Sequence, residues 1–448
     1  MNTDNTAKQH ASLFDLDGVP KMSQAIPLAL QHVVAMIVGC VTPAIIISGA
    51  AGIDTADRVL LIQASLVVSA LATLLQLFPI GNKNSFHLGA GLPVILGVSF
   101  AYVPSMQAIA EQSGIPAILG AQIVGGVCAI IVGLTNKKIR KFFPPLIAGT
   151  VVFTIGLSLY PTAINYMAGG AGQPTYGAWQ NWVVAIFTLV VVTVLNHFAK
   201  GFLKLASILM GMIAGYIFSM FFGMVSFGNV AESGMFQLPQ VMHFGISFEA
   251  SACVALGLLF VINSVQAIGD FSATTAGGLD REPTTNELHG AILGYGFSNI
   301  IGAFLGCLPT ATYSQNVGIV ATTKVVNRVT LGLSALIILV AGLFPKFSAL
   351  LTTIPYAVLG GATVSVFASI AMTGMKLVMT EDMNYRNTSI VGLAAALGMG
   401  VSQASASLSA FPTWVTTIFG KSPVVIATLV AILLNVTLPK DTGKVKKN

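Results

Sequence analysis

The chain reads as an all-α polytopic membrane protein of 14 transmembrane spans, built as two inverted seven-span repeats with short extended pieces in spans 3 and 10. Three features lead there. Of 448 residues, 55% are hydrophobic and 8% charged, against about 25% charged in an average soluble domain. Apolar windows of about 20 residues, the length that crosses a bilayer, recur from end to end with short polar segments between them. With the amino terminus inside, only Arg58, Lys346 and Lys421 of the 21 Lys and Arg residues fall outside, a strong positive-inside bias.

In chain order, residues 1–24 are polar and lack the apolar core of a cleavable signal, so they are expected to stay in the cytoplasm. Windows follow near 28–50, 60–80, 91–110, 117–134, 145–167, 182–198 and 203–227. The second half repeats the count near 250–274, 290–307, 312–326, 330–344, 354–378, 390–407 and 424–438. Residues 439–448 form a short basic tail, read as a topology anchor. The same bias explains the pI of about 9.1 without nucleic acid. Cys40, Cys128, Cys253 and Cys307 all fall inside windows, without the pairing of a disulfide framework or the clustering of a metal site. They read as small apolar fillers.

The halves resemble each other. Leu92-Pro93 precedes Ser99-Phe100 by the spacing at which Leu308-Pro309 precedes Gln315-Asn316, and Pro145 with Gly149 opens span 5 much as Pro355 with Gly360-Gly361 opens span 12. Repeats of seven spans must lie in opposite orientations. Interrupted spans at matching places in such repeats point to a transport site. Gly97–Ser99 and Ala311–Ser314 are expected to be extended, with a half-helix running from about Gln315. The two half-helix amino termini would offer free N–H groups and partial positive charge to a ligand.

The stretch from Leu308 to Arg328 is polar where its neighbours are apolar, and backbone without helix is tolerated at membrane depth only inside protein or beside a cavity. Its Gln315-Asn316 pair, followed by Gly318, presents amide donors and acceptors side by side, suited to the edge of a flat heterocycle. Asn263, Gln266 and Asp270 follow at spacings of three and four, on one face of the eighth span. Asp270 is the one acid well inside a window, and two readings stand for it: a carrier of a proton, or a fastener of the eighth helix. His32 reads foremost as a packed, hydrogen-bonded histidine, and Phe100 equally as a site or a core aromatic. His87, His197, His243 and His289 show no metal-ligand spacing. No nucleophile–base pair, phosphate loop or redox motif stands out, so no enzyme is read.

At these residues the chain resembles the nucleobase-ascorbate transporters. Gln315-Asn316-Val317-Gly318 with Ile319 to Lys324 resembles the family signature, Val265 to Asp270 its second motif, and Gln31-His32 its Gln-His pair. The resemblance implies a core domain (25–140 and 247–346) moving like an elevator against a gate domain (141–228 and 350–438), with the ligand among spans 3, 8 and 10. It implies that Gln266 and Gln315 hydrogen-bond a nucleobase, that Ser99 and Phe100 supply a backbone contact and a stacking face, and that Asn316 holds span 10 in shape, with Gly318, His32 and Gln31 as positioning residues. Members similar to this chain usually carry glutamate at Gln266, which leaves Asp270 as the proton-linked acid.

The expectation is a secondary active importer of a purine, xanthine or uric acid, by proton symport, in the inner membrane with both termini cytoplasmic, as a homodimer without cofactor. A uracil permease, sodium coupling, an uncoupled channel or sensor, and an anion carrier of the same fold remain as alternatives.

Overall fold

In a computed structural model, residues 12–82, 86–139, 144–420 and 422–439 are described. Helices make up most of them: α1 (Met22–Ala50), α2 (Thr55–Leu77), α3 (Val103–Ile139), α4 (Pro145–Ser158), α5 (Tyr160–Met167), α6 (Trp179–Phe198), α7 (Phe202–Leu205), α8 (Ser207–Met220) and α9 (Gly228–Glu232). The second half adds α10 (Ala250–Leu279), α11 (Thr285–Phe304), α12 (Ser314–Thr323), α13 (Arg328–Leu343), α14 (Pro345–Thr352), α15 (Tyr356–Val378), α16 (Tyr385–Gln403), α17 (Thr413–Gly420) and α18 (Pro423–Thr437). Two antiparallel pairs of short strands complete it: β1 (Ile80–Gly81) with β2 (His87–Leu88), and β3 (Leu96–Val98) with β4 (Thr310–Thr312). Among the described residues, seven helices are long and apolar enough to cross a membrane, or eight if α13 and α14, bent by 82°, count as one.

Helix starts follow local chemistry. Asp54 accepts the Asp57 N–H at 2.8 Å to open α2, Asn327 accepts that of Thr330 at 3.0 Å to open α13, and Thr284 with Glu287 forms a reciprocal capping box on α11. Each side chain satisfies an amide that the first helical turn leaves unpaired. Gly114, at φ 74°, breaks α3 into two helical pieces.

The chain folds as two compact units, Met1–Asn136 with Pro161–Ser365, and Lys137–Tyr160 with Val366–Asn448. This division describes packing, and it differs from the expected core and gate boundaries, which describe movement. In the larger unit α13 packs on α1 and α2, and the Gln63 amide donates to Gly342 O at 3.0 Å. In the smaller unit α4, α16 and α18 pack together, with Gly398 so close to α18 that a Cβ would lie 2.5 Å from Pro423 O. Small residues at such crossings let helices approach without an apolar driving force between them.

The β3–β4 pair is the centre of the larger unit. Gly97 faces Ala311, and the ladder is extended by Ser99 N–H to Pro309 O at 3.1 Å and Tyr313 N–H to Ile95 O at 3.0 Å. The outward groups of β3 find side chains instead of a third strand. The Thr73 hydroxyl accepts from Leu96 N–H at 3.1 Å and lies 3.0 Å from Leu96 O. Ser69 Oγ accepts from Val98 N–H at 3.3 Å, and the Tyr313 hydroxyl donates to Val98 O at 2.6 Å. On β4, Asn299 accepts the Thr310 N–H at 2.8 Å and its amide reaches Thr310 O at 3.4 Å. Buried backbone groups must be paired, and here helices α2 and α11 complete the ladder.

The pair also aligns the two Leu-Pro stretches with each other. Ser99 follows β3 as Tyr313 follows β4, so Phe100 matches Ser314, two residues from the match read off the Leu-Pro spacing. Val94 and Ile95 are the cause: they lie between Pro93 and β3, whereas Pro309 leads straight into β4. Helix α12 accordingly starts at Ser314, one residue before the expected Gln315.

This arrangement makes Thr73→Val costly, although the shapes match, because it strands Leu96 N–H and C=O in an apolar interior. We expect a loss of about 2–4 kcal/mol, read as a lower melting temperature of the purified protein. Thr150→Val in α4, whose hydroxyl donates only to its own helix at Leu146 O, should change it little.

Candidate functional site

Asp270 lies on α10, 8% exposed, and both its oxygens are engaged. The Thr312 hydroxyl donates to Oδ2 and the Ser314 hydroxyl to Oδ1 at 2.8 Å. One carboxylate thus holds the last residue of β4 and the first of α12, tying α10 to the turn where the chain becomes helical again. The same turn is held from α1. The Asn316 amide donates to His32 Nδ1 at 3.1 Å and to His32 O at 3.2 Å, which makes Nδ1 an acceptor and puts the ring proton on Nε2. Asn316 is 1% exposed, and its Oδ1 has no partner among the described residues.

Tyr313, between these two ties, fills the gap that two glycines leave. A Cβ at Gly97 would lie 2.6 Å from its hydroxyl and 2.9 Å from Cys40 Sγ, and one at Gly39 would lie 3.0 Å from the hydroxyl. The positions of α1, β3 and β4 are therefore set by one ring.

Gln266 and Gln315 behave differently from the buried amides. Gln266 is half-buried one helical turn before Asp270, and Gln315 is exposed in the first turn of α12. Among the described residues neither side chain makes a hydrogen bond, while Gln63, Gln76 and Asn299 all bond backbone. Helix α10 packs along α12, and Asp270, one turn after Gln266, bonds Ser314, the neighbour of Gln315. Gln31 is also half-buried, and among the described residues its side chain makes no hydrogen bond, whereas its neighbour His32 belongs to the Asn316 tie.

Ser99 and Phe100 sit at the start of the other half-helix. The Ser99 N–H is taken by Pro309 O, and its Oγ accepts from Ala101 N–H at 3.2 Å. Phe100 is buried, in a turn that packs against α10. Since β3 and β4 are antiparallel, the two half-helices leave the pair from its opposite ends, roughly 10 Å apart at about 3.3 Å per residue. Their amino-terminal partial charges both fall at the crossing.

The sequence reading missed the layer behind this site. The Tyr102 and Tyr295 hydroxyls share a hydrogen bond beside Phe260, whose ring centroid is 4.9 Å from that of Tyr102. Gln122 donates to Asn299 O at 2.9 Å. A polar residue in an apolar window is itself a signal, and Gln122 and Asn299 carried it. Among the described residues no group of three His, Cys, Asp or Glu could hold a metal.

Two substitutions separate shape from function. Asn316→Asp places an acceptor against His32 Nδ1 and O, and should cost about 1–3 kcal/mol in thermal melts. Gly318→Ala adds a Cβ that meets nothing within 4 Å, so it should leave the melting temperature unchanged.

The profile of the permease family matches residues 23–407. The uric acid permease PucJ of Bacillus subtilis (strain 168) is 34% identical, covering 91% of each chain. The xanthine permease of the same organism is 32% identical, over 92% of this chain and 93% of its own. Xanthine permease XanP of Escherichia coli (strain K12) is 30% identical over 96% and 95%. Among solved structures, the transmembrane domain of a cyanobacterium bicarbonate transporter, BicA, aligns with a TM-score of 0.59 at 16% identity, covering 91% of this chain and 96% of that one; at that identity the likeness is of fold alone. The relatives are permeases and not enzymes, and the chain belongs to their family, the nucleobase-ascorbate transporters, alongside the xanthine and uric acid permeases.

Proposed function

We propose that this protein is a secondary active importer of a purine nucleobase, xanthine or uric acid, coupled to protons. The observation that carries the reading is the pair of unbonded amides, Gln266 and Gln315. They flank the crossing of two interrupted spans, in a site where the other polar groups are committed to holding backbone. A glutamine offers a donor and an acceptor at fixed spacing, which matches the edge of an oxopurine. Two such groups on packed helices can grip it from two sides. Phe100 and the half-helix amino termini add an apolar face and donors for carbonyl oxygens or a purine anion.

Asp270 is the proposed proton carrier. It is buried and bonded only to hydroxyls, which can donate or accept, so its bonds survive a change in protonation. In the proposed cycle spans 1–4 and 8–11 form a core that moves against a gate of the remaining spans. The 14 spans form two inverted repeats, both termini are cytoplasmic in the inner membrane, and the protein is a homodimer. The lack of a glutamate at 266 favours ligands with an extra carbonyl or a negative charge, as uric acid has.

Uptake of labelled xanthine and urate into cells lacking their own purine permeases, with and without a protonophore, tests this. Accumulation abolished by the protonophore is the expected result. Accumulation that survives it while a sodium gradient is kept would move the coupling to sodium, and no uptake of either base would overturn the substrate. Asp270→Asn, which keeps the size and polarity of the side chain, should remain folded and bind purine but fail to accumulate it. Gln266→Glu should shift preference from urate toward xanthine by about tenfold, or about 1.4 kcal/mol; an unchanged ratio would remove Gln266 from the base contact.

A further inference from the structure

The residues just before α1 are engaged with the far end of the span 10 half-helix. Leu13 O accepts from Val326 N–H at 3.2 Å and Leu16 O from Arg328 N–H at 3.0 Å. The Asn327 amide donates to Asp15 O at 3.1 Å and to Gly18 O at 2.6 Å. Leu13 is 4% exposed, which seats the segment by an apolar contact as well as by backbone bonds. From the same turn Arg328 reaches two ways: Nη1 to Asp17 Oδ1 at 2.5 Å, and Nε to Gly91 O at 2.8 Å.

Gly91 opens the stretch that leads into β3, and Arg328 follows the stretch that leaves α12. The guanidinium therefore joins the two interrupted spans a second time, about 15 Å along α12 from the crossing at 1.5 Å per residue. A planar group with several fixed donors suits this bridging, which lysine could not reproduce. The fit is close at Gly91, at φ 67°, where a Cβ would lie 3.0 Å from Arg328 Nη2. The Asp17 carboxylate is largely open to solvent and the Arg328 side chain is 14% exposed, so the anion orients a cation that the fold already half encloses.

We propose that the segment Leu13–Gly18 and Arg328 form a clasp that fixes the register of the two interrupted spans, making Arg328 a positioning residue for the site at their crossing. The clasp rests on the reading above that the crossing holds the purine. With it closed, the ends of α12 and of the β3 lead-in are both fixed, and Gln315 meets Gln266 at a constant distance. With it open, α12 keeps its ties to Asp270 and His32 at the first turn and the Lys324–Asp280 pair at its far end, but it loses the bond that joins it to the lead-in of β3, and the site loosens.

The test uses the purified full-length chain and two readouts: xanthine affinity with uptake kinetics, and amide hydrogen exchange across residues 325–330. Asp17→Arg, at an exposed position that folding tolerates, should speed exchange there about tenfold through easier local opening. It should weaken xanthine binding about fivefold, about 1 kcal/mol, while leaving the maximal uptake rate within about twofold. Leu13→Asp should do the same, and Asp17→Glu should restore both readouts. Unchanged exchange in Asp17→Arg and Leu13→Asp overturns the clasp, and faster exchange with unchanged affinity overturns its positioning role. A wild-type protein that binds neither xanthine nor urate overturns the proposed substrate instead, and exchange alone then decides whether the segment holds α12.

Discussion

Every part of this protein's centre answers one constraint: two stretches of chain without helix lie among apolar helices, so their backbone groups must be paired inside the protein. A group left unpaired in hydrocarbon would cost several kcal/mol. Three residues of β3 and three of β4 pair with one another, but a two-stranded ladder always leaves two outer edges. Thr73 and Ser69 close one from α2, with the Tyr313 hydroxyl, and Asn299 serves the other from α11. The sidechains that look like misplaced polarity in apolar helices are the missing strands of a small sheet.

From that sheet follows the division of labour among the polar groups. Asp270 from α10 and His32 from α1 fasten the start of α12, the carboxylate through both its oxygens and the histidine through the Asn316 amide nitrogen. Gln266 and Gln315 lie a turn or less from these fasteners yet bond to nothing in the described chain. The fasteners hold still the turn beside which the free amides lie. The proposed site thus sets uncommitted groups beside a rigid frame, adjacent to it in sequence.

The helix packing has the same logic at larger scale. Gly97 and Gly39 admit the Tyr313 ring, Gly342 admits α2, and Gly398 admits α18. Without a hydrophobic drive between helices in lipid, close backbone approach and polar bonds such as Gln63 to Gly342 supply the adhesion. The abundance of glycine, 46 residues, is thus spread over many crossings in both units.

The sequence alone established the membrane class and the two stretches without helix that become β3 and β4, and it nominated the amide and acid residues of the candidate site. These follow from hydropathy, from turn-forming residues inside apolar windows and from spacing along a helix, all local properties. Only the tertiary structure decided which polar groups are committed. Asn316 meets His32 from 284 positions away, and Asp270 meets Thr312 and Ser314 across 42 and 44. No local pattern carries such distances. The two-residue shift between the halves, the Tyr102–Tyr295 layer and the seating of Leu13 against Val326 belong to the same class. Each depends on where backbone groups are left unpaired once the helices have packed, and that is known only when the whole chain is in place.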